Sequence, residues 1–129
     1  MAYLWVGLGS ALGGMGRFWL SGFIARRVGE TFPWGTLTVN VTGSFVIGLL
    51  AALVGPDSRL NPKVNPFVFQ FLMAGICGGY TTFSSFSLQT LKLVQSGEWL
   101  HAGANAASSV LFCLLAVWFG HLAGQMLNR

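Results

Sequence analysis

Hydrophobic positions in this chain come in long uncharged blocks, not in short alternations. Residues 31–56, 64–91 and 99–128 contain no Asp, Glu, Lys or Arg, which gives windows of 26, 28 and 30 positions. A helix crosses the ~30 Å hydrocarbon core of a bilayer with about 20 apolar residues. Each window therefore holds one span and not two. The opening block, 2–25, is interrupted only by Arg17. It lacks the basic leader and small-residue cleavage site of a signal peptide, so it reads as a further span. The pattern predicts four helices, about 2–26, 34–55, 65–95 and 99–127, forming one transmembrane domain over 1–129. Pro33 and Pro66 stand at helix starts, where a missing N–H is tolerated. Gly55-Pro56 closes the second helix. Trp5, Trp34 and Trp99 fall near span ends, as an aromatic belt places them.

Composition points the same way. Hydrophobic residues make up 53% of the 129 and charged residues only 8%, against about 25% charged in a soluble domain. Glu30, Asp57 and Glu98 are the three acids, too few to solvate a surface of this size. The chain reads as an all-α integral membrane protein whose first partner is the lipid bilayer. Cys77 and Cys113 sit in apolar context and make no disulfide framework. The seven basic residues are scattered, so no nucleic-acid partner is expected.

Four spans put both termini on one side, with Arg59, Lys63 and Arg129. The other side has Arg26, Arg27 and Lys92. This tie gives no orientation under the positive-inside rule. Either small boundary errors conceal a bias, or the chain inserts both ways round. Insertion both ways permits an antiparallel dual-topology homodimer with its two-fold axis in the membrane plane. Four short helices also enclose little interior, which favours an oligomer.

Catalysis is not expected. No carboxylate lies inside a span, and the sequence has no H-E-x-x-H, no C-x-x-C and no Ser–His–Asp spacing. His101 and His121 are twenty residues apart on the fourth helix, about 30 Å along its axis. They do not share a metal within one chain.

The spans instead contain rows of uncharged hydrogen-bonding groups. Thr36, Asn40 and Ser44 recur every four residues on one face of the second helix. Asn40 is the costliest of these to bury. Asn105, Ser109 and Cys113 form a similar row on the fourth. The competing reading of both rows is interhelical glue. The third helix reads G-I-C-G-G-Y-T-T-F-S-S-F-S-L-Q-T from Gly75 to Thr90. Gly78-Gly79 is a poor helix interior, at roughly 1 kcal/mol per glycine against alanine. A mid-membrane break is expected near Gly78–Thr81, freeing carbonyls of the kind that hold a cation, with a simple kink as the alternative. Beyond it Phe83 and Phe86 share a face beside a row of Thr82, Ser85 and Gln89. An aromatic ring edge is electropositive and can face an anion. Arg17 is the one charge within a span; it is read as snorkelling, as capping carbonyls from a partner, or as a vestibule charge. Donors and ring edges without a fixed acid suit a small anion that hydrogen-bonds strongly, passing without proton coupling.

The stretches G-T-L-T-V-N-V-T-G-S-F at Gly35–Phe45 and G-G-Y-T-T-F-S-S-F-S at Gly78–Ser87, with Gly13, Gly14 and Arg17, resemble the Fluc/CrcB fluoride channel family over the whole chain. The resemblance implies a passive, fluoride-selective channel with two pores per antiparallel dimer, in a bacterial inner membrane. There it would release cytoplasmic fluoride that entered as neutral hydrogen fluoride. It implies that Asn40 lies on the ion path and that Phe83 and Phe86 form the aromatic boxes beside it. Ser109 belongs to the polar track, with Thr82 and Ser85 as neighbours; Thr36 and Gln89 join the expected fluoride path from the polar rows read above. The Gly78 and Thr81 carbonyls would hold a structural sodium ion that both subunits share.

Two rivals stand apart from this reading. A four-helix multidrug exporter needs a membrane-embedded glutamate in the first helix, where this chain has Arg17 and no acid. A purely structural protein would use its polar rows as glue and conduct nothing. The chain also departs from many members of the family, with Gln89 where glutamate is common and Asn105 where tyrosine is familiar. Gln89→Glu is expected to change the rate of fluoride flux and leave the fluoride/chloride ratio unchanged; paired flux assays of the two ions check it, and a shifted ratio rejects it.

Overall fold

The computed structural model describes residues 1–56, 58, 60–61, 63 and 65–129. Arg59, used in the topology count, and Asp57, one of the three acids, lie outside the described residues. All regular structure among the described residues is helical. Helix α1 is Ala2–Val28 and α2 is Trp34–Leu53. The third rod comes in three pieces: a π-helix at Val68–Cys77, the turn α3 at Gly78–Tyr80, and α4 at Phe83–Gln95. Helix α5 is Trp99–Leu127.

The helix ends follow local chemistry. Pro33 occupies the N-cap of α2, and its carbonyl accepts from Leu37 N–H at 3.1 Å. Trp34 and Trp99 are the first residues of their helices. Helix α2 ends at Leu53, two residues short of the expected Gly55, because the chain leaves the helix at Val54 (φ −101°, ψ 21°). Gly97 takes φ +76°, which lets Ser96–Glu98 turn the chain directly from α4 into α5.

Helices α2 and α5 are each long and apolar enough to cross a membrane. With 20 and 29 residues they extend about 30 and 43 Å. Large apolar side chains stay outside: Phe18 is 83% exposed and Leu100 84%. A soluble chain of this size buries such groups, so their solvent here is lipid or another subunit.

Two close pairings build the bundle: α2 against α5, and α1 against the π-helix. Both use glycine to bring backbones together. A Cβ on Gly75 would lie 2.9 Å from the Gly9 Cα, so the π-helix touches α1 backbone to backbone. A Cβ on Gly48 would lie 2.9 Å from the Val117 carbonyl carbon and 3.1 Å from His121 N. Without a hydrophobic force between helices in lipid, such van der Waals contact is the main source of association. The π-winding shows at its end, where Gly78 N–H reaches the Met73 carbonyl five residues back. Nothing in the local sequence explains why this stretch winds wide.

Gly48→Ala is expected to force α5 off α2 and to destabilise the protein by about 1–3 kcal/mol, the usual penalty of overpacking. Thermal melting in detergent checks it; an unchanged midpoint would show that the α2–α5 contact yields freely.

Candidate functional site

The site is organised by an interruption of the third rod. Thr81 (φ −80°, ψ 156°) and Thr82 (φ −151°, ψ 118°) are both extended. Gly78 itself stays helical (φ −64°, ψ −37°), so the chain opens three residues beyond it, not at the Gly78-Gly79 pair. Extended backbone leaves N–H and C=O groups without their helical partners, and each must find another.

Asn40 supplies two of those partners. Its Nδ2 donates to the Thr82 carbonyl at 2.9 Å, and its Oδ1 accepts from Thr82 N–H at 2.7 Å. One primary amide thus copies the paired bonds of a β-ladder. Thr82 in turn caps α4: its Oγ1 accepts from Ser85 N–H at 3.2 Å and lies 3.2 Å from Ser84 Oγ. These diversions release two carbonyls. A continuous helix would bond Thr82 N–H to the Gly78 carbonyl and Ser85 N–H to the Thr81 carbonyl. Here those donors go to Asn40 Oδ1 and Thr82 Oγ1 instead. Gly43 makes the space: a Cβ there would collide with the Thr81 methyl and lie 3.0 Å from the Tyr80 ring.

The expected site residues divide between two cavities. One, of about 420 Å³, is lined by Asn40, Gly78, Thr81, Thr82, Phe83, Phe86 and Ser109. The rings of Phe83 and Phe86 lie 5.3 Å apart and are tilted by 53°. Phe83 is 78% exposed, so this cavity opens to the outside of the protomer. The other cavity, of about 600 Å³, is lined by Arg17, Thr36, Ser85 and Gln89, with Glu30 and Lys92. Thr36 and Asn40, one helical turn apart on α2, therefore point the same row into successive cavities. Gln89 Oε1 is buried without a hydrogen-bond partner. Arg17 Nε donates to the Gly79 carbonyl at 3.3 Å, so this charge caps a carbonyl of its own chain.

Asn105 lines neither cavity. It is buried, donates to Thr90 Oγ1 at 2.9 Å, and its Oδ1 accepts from Ser109 Oγ at 3.4 Å. It ties α5 to α4 and orients the Ser109 hydroxyl. Several lining residues were not singled out from sequence. Lys92 stands three positions after Gln89 on one helix face, a spacing that signals it. Glu30 and the bond between Thr42 Oγ1 and Tyr80 Oη (2.8 Å) have no local signature.

Apolar helices with lipid-facing side chains, and polar groups confined to one interrupted rod and its neighbours, define a helical membrane protein with a polar interior site. The chain belongs to the CrcB family: the model described as "CrcB-like protein, Camphor Resistance (CrcB)" matches residues 4–121. The chain is 54% identical over 129 residues to the fluoride-specific ion channel FluC of Methylocella silvestris, covering 100% of this chain and 97% of that one. It is 54% identical to the FluC of Rhodospirillum rubrum, covering 100% and 98%. With the FluC of Opitutus terrae it shares 55% over 126 residues, covering 98% and 94%.

Asn40→Leu strands both polar groups of Thr82. The expected loss is about 2–5 kcal/mol for two unsatisfied backbone groups, with faster amide exchange at Thr82 and the first turn of α4. Hydrogen exchange resolved by residue checks it. Unchanged protection at Thr82 would show that the amide pair does not hold the interruption.

Proposed function

We propose that this protein is a passive, fluoride-selective channel of a bacterial inner membrane. The end-to-end match to relatives named as fluoride-specific ion channels carries the reading. The convergence of Asn40, Phe83, Phe86 and Ser109 on one cavity supports it. Fluoride entering the membrane exchanges water for donors: the Asn40 N–H not used on Thr82 and the ring edges of Phe83 and Phe86, joined by the Ser109 hydroxyl when it turns from Asn105 Oδ1. The hydroxyl and amide groups of Thr36, Ser85 and Gln89 extend the path into the larger cavity, where Arg17 and Lys92 raise the potential for an anion. Glu30, beyond the end of α1, is the one acid lining either cavity, and no acid lies within a described helix, so flow is passive and follows the gradient outward.

The working unit is an antiparallel, dual-topology homodimer with two pores. Each chain crosses the membrane four times, with the interruption of the third rod at mid-membrane. The exposure of Phe83 favours such a partner, because a second copy would close the open cavity. The Gly78 and Thr81 carbonyls, released from their helical donors, would hold a sodium ion together with the same two groups of the second copy. Two neutral oxygens from one chain are too few for a closed shell, so the ion would fasten the two interruptions to each other.

One observation favours a second reading. Asn40 has both polar atoms on Thr82, as a structural clamp would. On that reading the rows are glue and nothing is conducted.

Fluoride efflux from liposomes separates the two. Fast fluoride release with negligible chloride release is expected, slowed roughly three- to ten-fold by Phe83→Ile or Phe86→Ile, the worth of one aromatic contact. If neither ion leaves liposomes shown to hold folded protein, the rows are packing and the channel reading fails.

A further inference from the structure

The end of α1 carries a feature that the ion path does not use. Trp19, Phe23 and Arg27 stand at successive four-residue steps on one face of α1. The Trp19 and Phe23 rings stack at 5.7 Å with an interplanar angle of 18°. The Arg27 guanidinium carbon sits 5.0 Å from the Phe23 ring centroid. Trp19 is 62% exposed, and Arg26 and Arg27 are exposed beside each other in the last helical turn. The larger cavity takes Ser21, Gly22 and Ala25 from α1, so this stripe lies off the cavity side. Among the described residues neither Arg26 nor Arg27 meets a carboxylate or donates a side-chain hydrogen bond. Glu30, the nearest acid in sequence, lines the cavity with Arg17 and Lys92.

We propose that this stripe is a binding site for an anionic phospholipid, with Arg26 and Arg27 on its phosphate and Trp19 and Phe23 against its upper acyl chain. The inference rests on the membrane reading above. Eight residues separate Trp19 from Arg27, about 12 Å along the helix axis, which matches the step from acyl chain to phosphate. The guanidinium is held in place by the ring beneath it, so little order is lost when it takes a phosphate. Arginines in a last turn also offset the negative helix end. That role needs no exposed aromatic stripe below them, whereas a lipid covers both parts at once. A free phosphate would satisfy the charges and leave the rings uncovered, so the occupant is the lipid.

Native mass spectrometry of the purified full chain tests it, after incubation with equimolar phosphatidylglycerol and phosphatidylcholine of identical chains. The wild type is expected to retain phosphatidylglycerol preferentially. R26Q/R27Q should lower that preference roughly thirty-fold, on the order of five-fold per guanidinium. F23L keeps both charges and removes the ring under Arg27, so a partial loss is expected even if the double variant folds poorly. Free glycerol phosphate should not displace the bound lipid. Equal retention of the two lipids, an unchanged preference in R26Q/R27Q, or displacement by glycerol phosphate overturns the proposal and leaves the channel reading intact. Retention of neither lipid overturns it together with the membrane reading. Fluoride flux, measured separately, reports on the channel alone.

Discussion

Every backbone N–H or C=O that leaves its helical ladder inside a packed protein needs another partner, and this constraint governs the structure around Thr82. The third rod breaks its helical ladder at two residues. In water that break would be solvated. In a membrane interior it persists only where protein supplies the missing groups. Asn40 does so with one amide, which takes both the N–H and the C=O of Thr82. A hydroxyl in place of that amide has its donor and its acceptor on a single atom, so it does not span the two groups side by side. A carboxylate would accept from the N–H and repel the carbonyl. The primary amide is the one side-chain group that matches a peptide unit on both edges.

Satisfying Thr82 in this way has a consequence upstream and downstream. Its N–H no longer reaches Gly78, and its hydroxyl takes the N–H that would have reached Thr81. The two residues whose carbonyls lose these donors, Gly78 and Thr81, line the same open cavity as Phe83 and Phe86. The clamp and the released oxygens are parts of one rearrangement, so stabilising the interruption and creating an electronegative spot are not separable by sequence change at Asn40 alone. Arg17 adds a third element by capping the Gly79 carbonyl between them.

Much of this was legible in the residues. Uncharged windows located the helices, and the prolines and tryptophans fixed the starts of α2 and α5, because end chemistry is local. The four-residue row through Thr36 and Asn40 was visible for the same reason. The partner of Asn40 was not, since Thr82 lies 42 positions away and only packing brings it there. The extended residues, Thr81 and Thr82, stand at the far end of the expected Gly78–Thr81 stretch and not at its glycine pair: Gly79 serves close approach to α1, where a Cβ on it would lie 2.7 Å from the Ser10 Cα. Poor helix propensity marked a crowded contact and not a bend. The π-winding of Val68–Cys77 left no trace, because its apolar run suits either helix period. The division of the site residues between two cavities depends on where α4 starts, which is again set by the clamp.

The placement of Arg17 decides the electrostatics of the larger cavity. A charge two-thirds along a span is costly unless something compensates it. An acidic partner would cancel the charge and leave a neutral dipole. A carbonyl compensates by hydrogen bonding and leaves the net charge in place. Arg17 takes the second course with Gly79, and Lys92 shares the same cavity wall. Glu30 stands at the far end of α1, beyond Gly29, and makes no ion pair with either. The cavity therefore keeps a positive potential at its inner end while its guanidinium is structurally satisfied. On the channel reading proposed above, that combination would draw an anion inward without offering a free guanidinium to trap it, which is what fast passage of a strongly hydrogen-bonding ion requires.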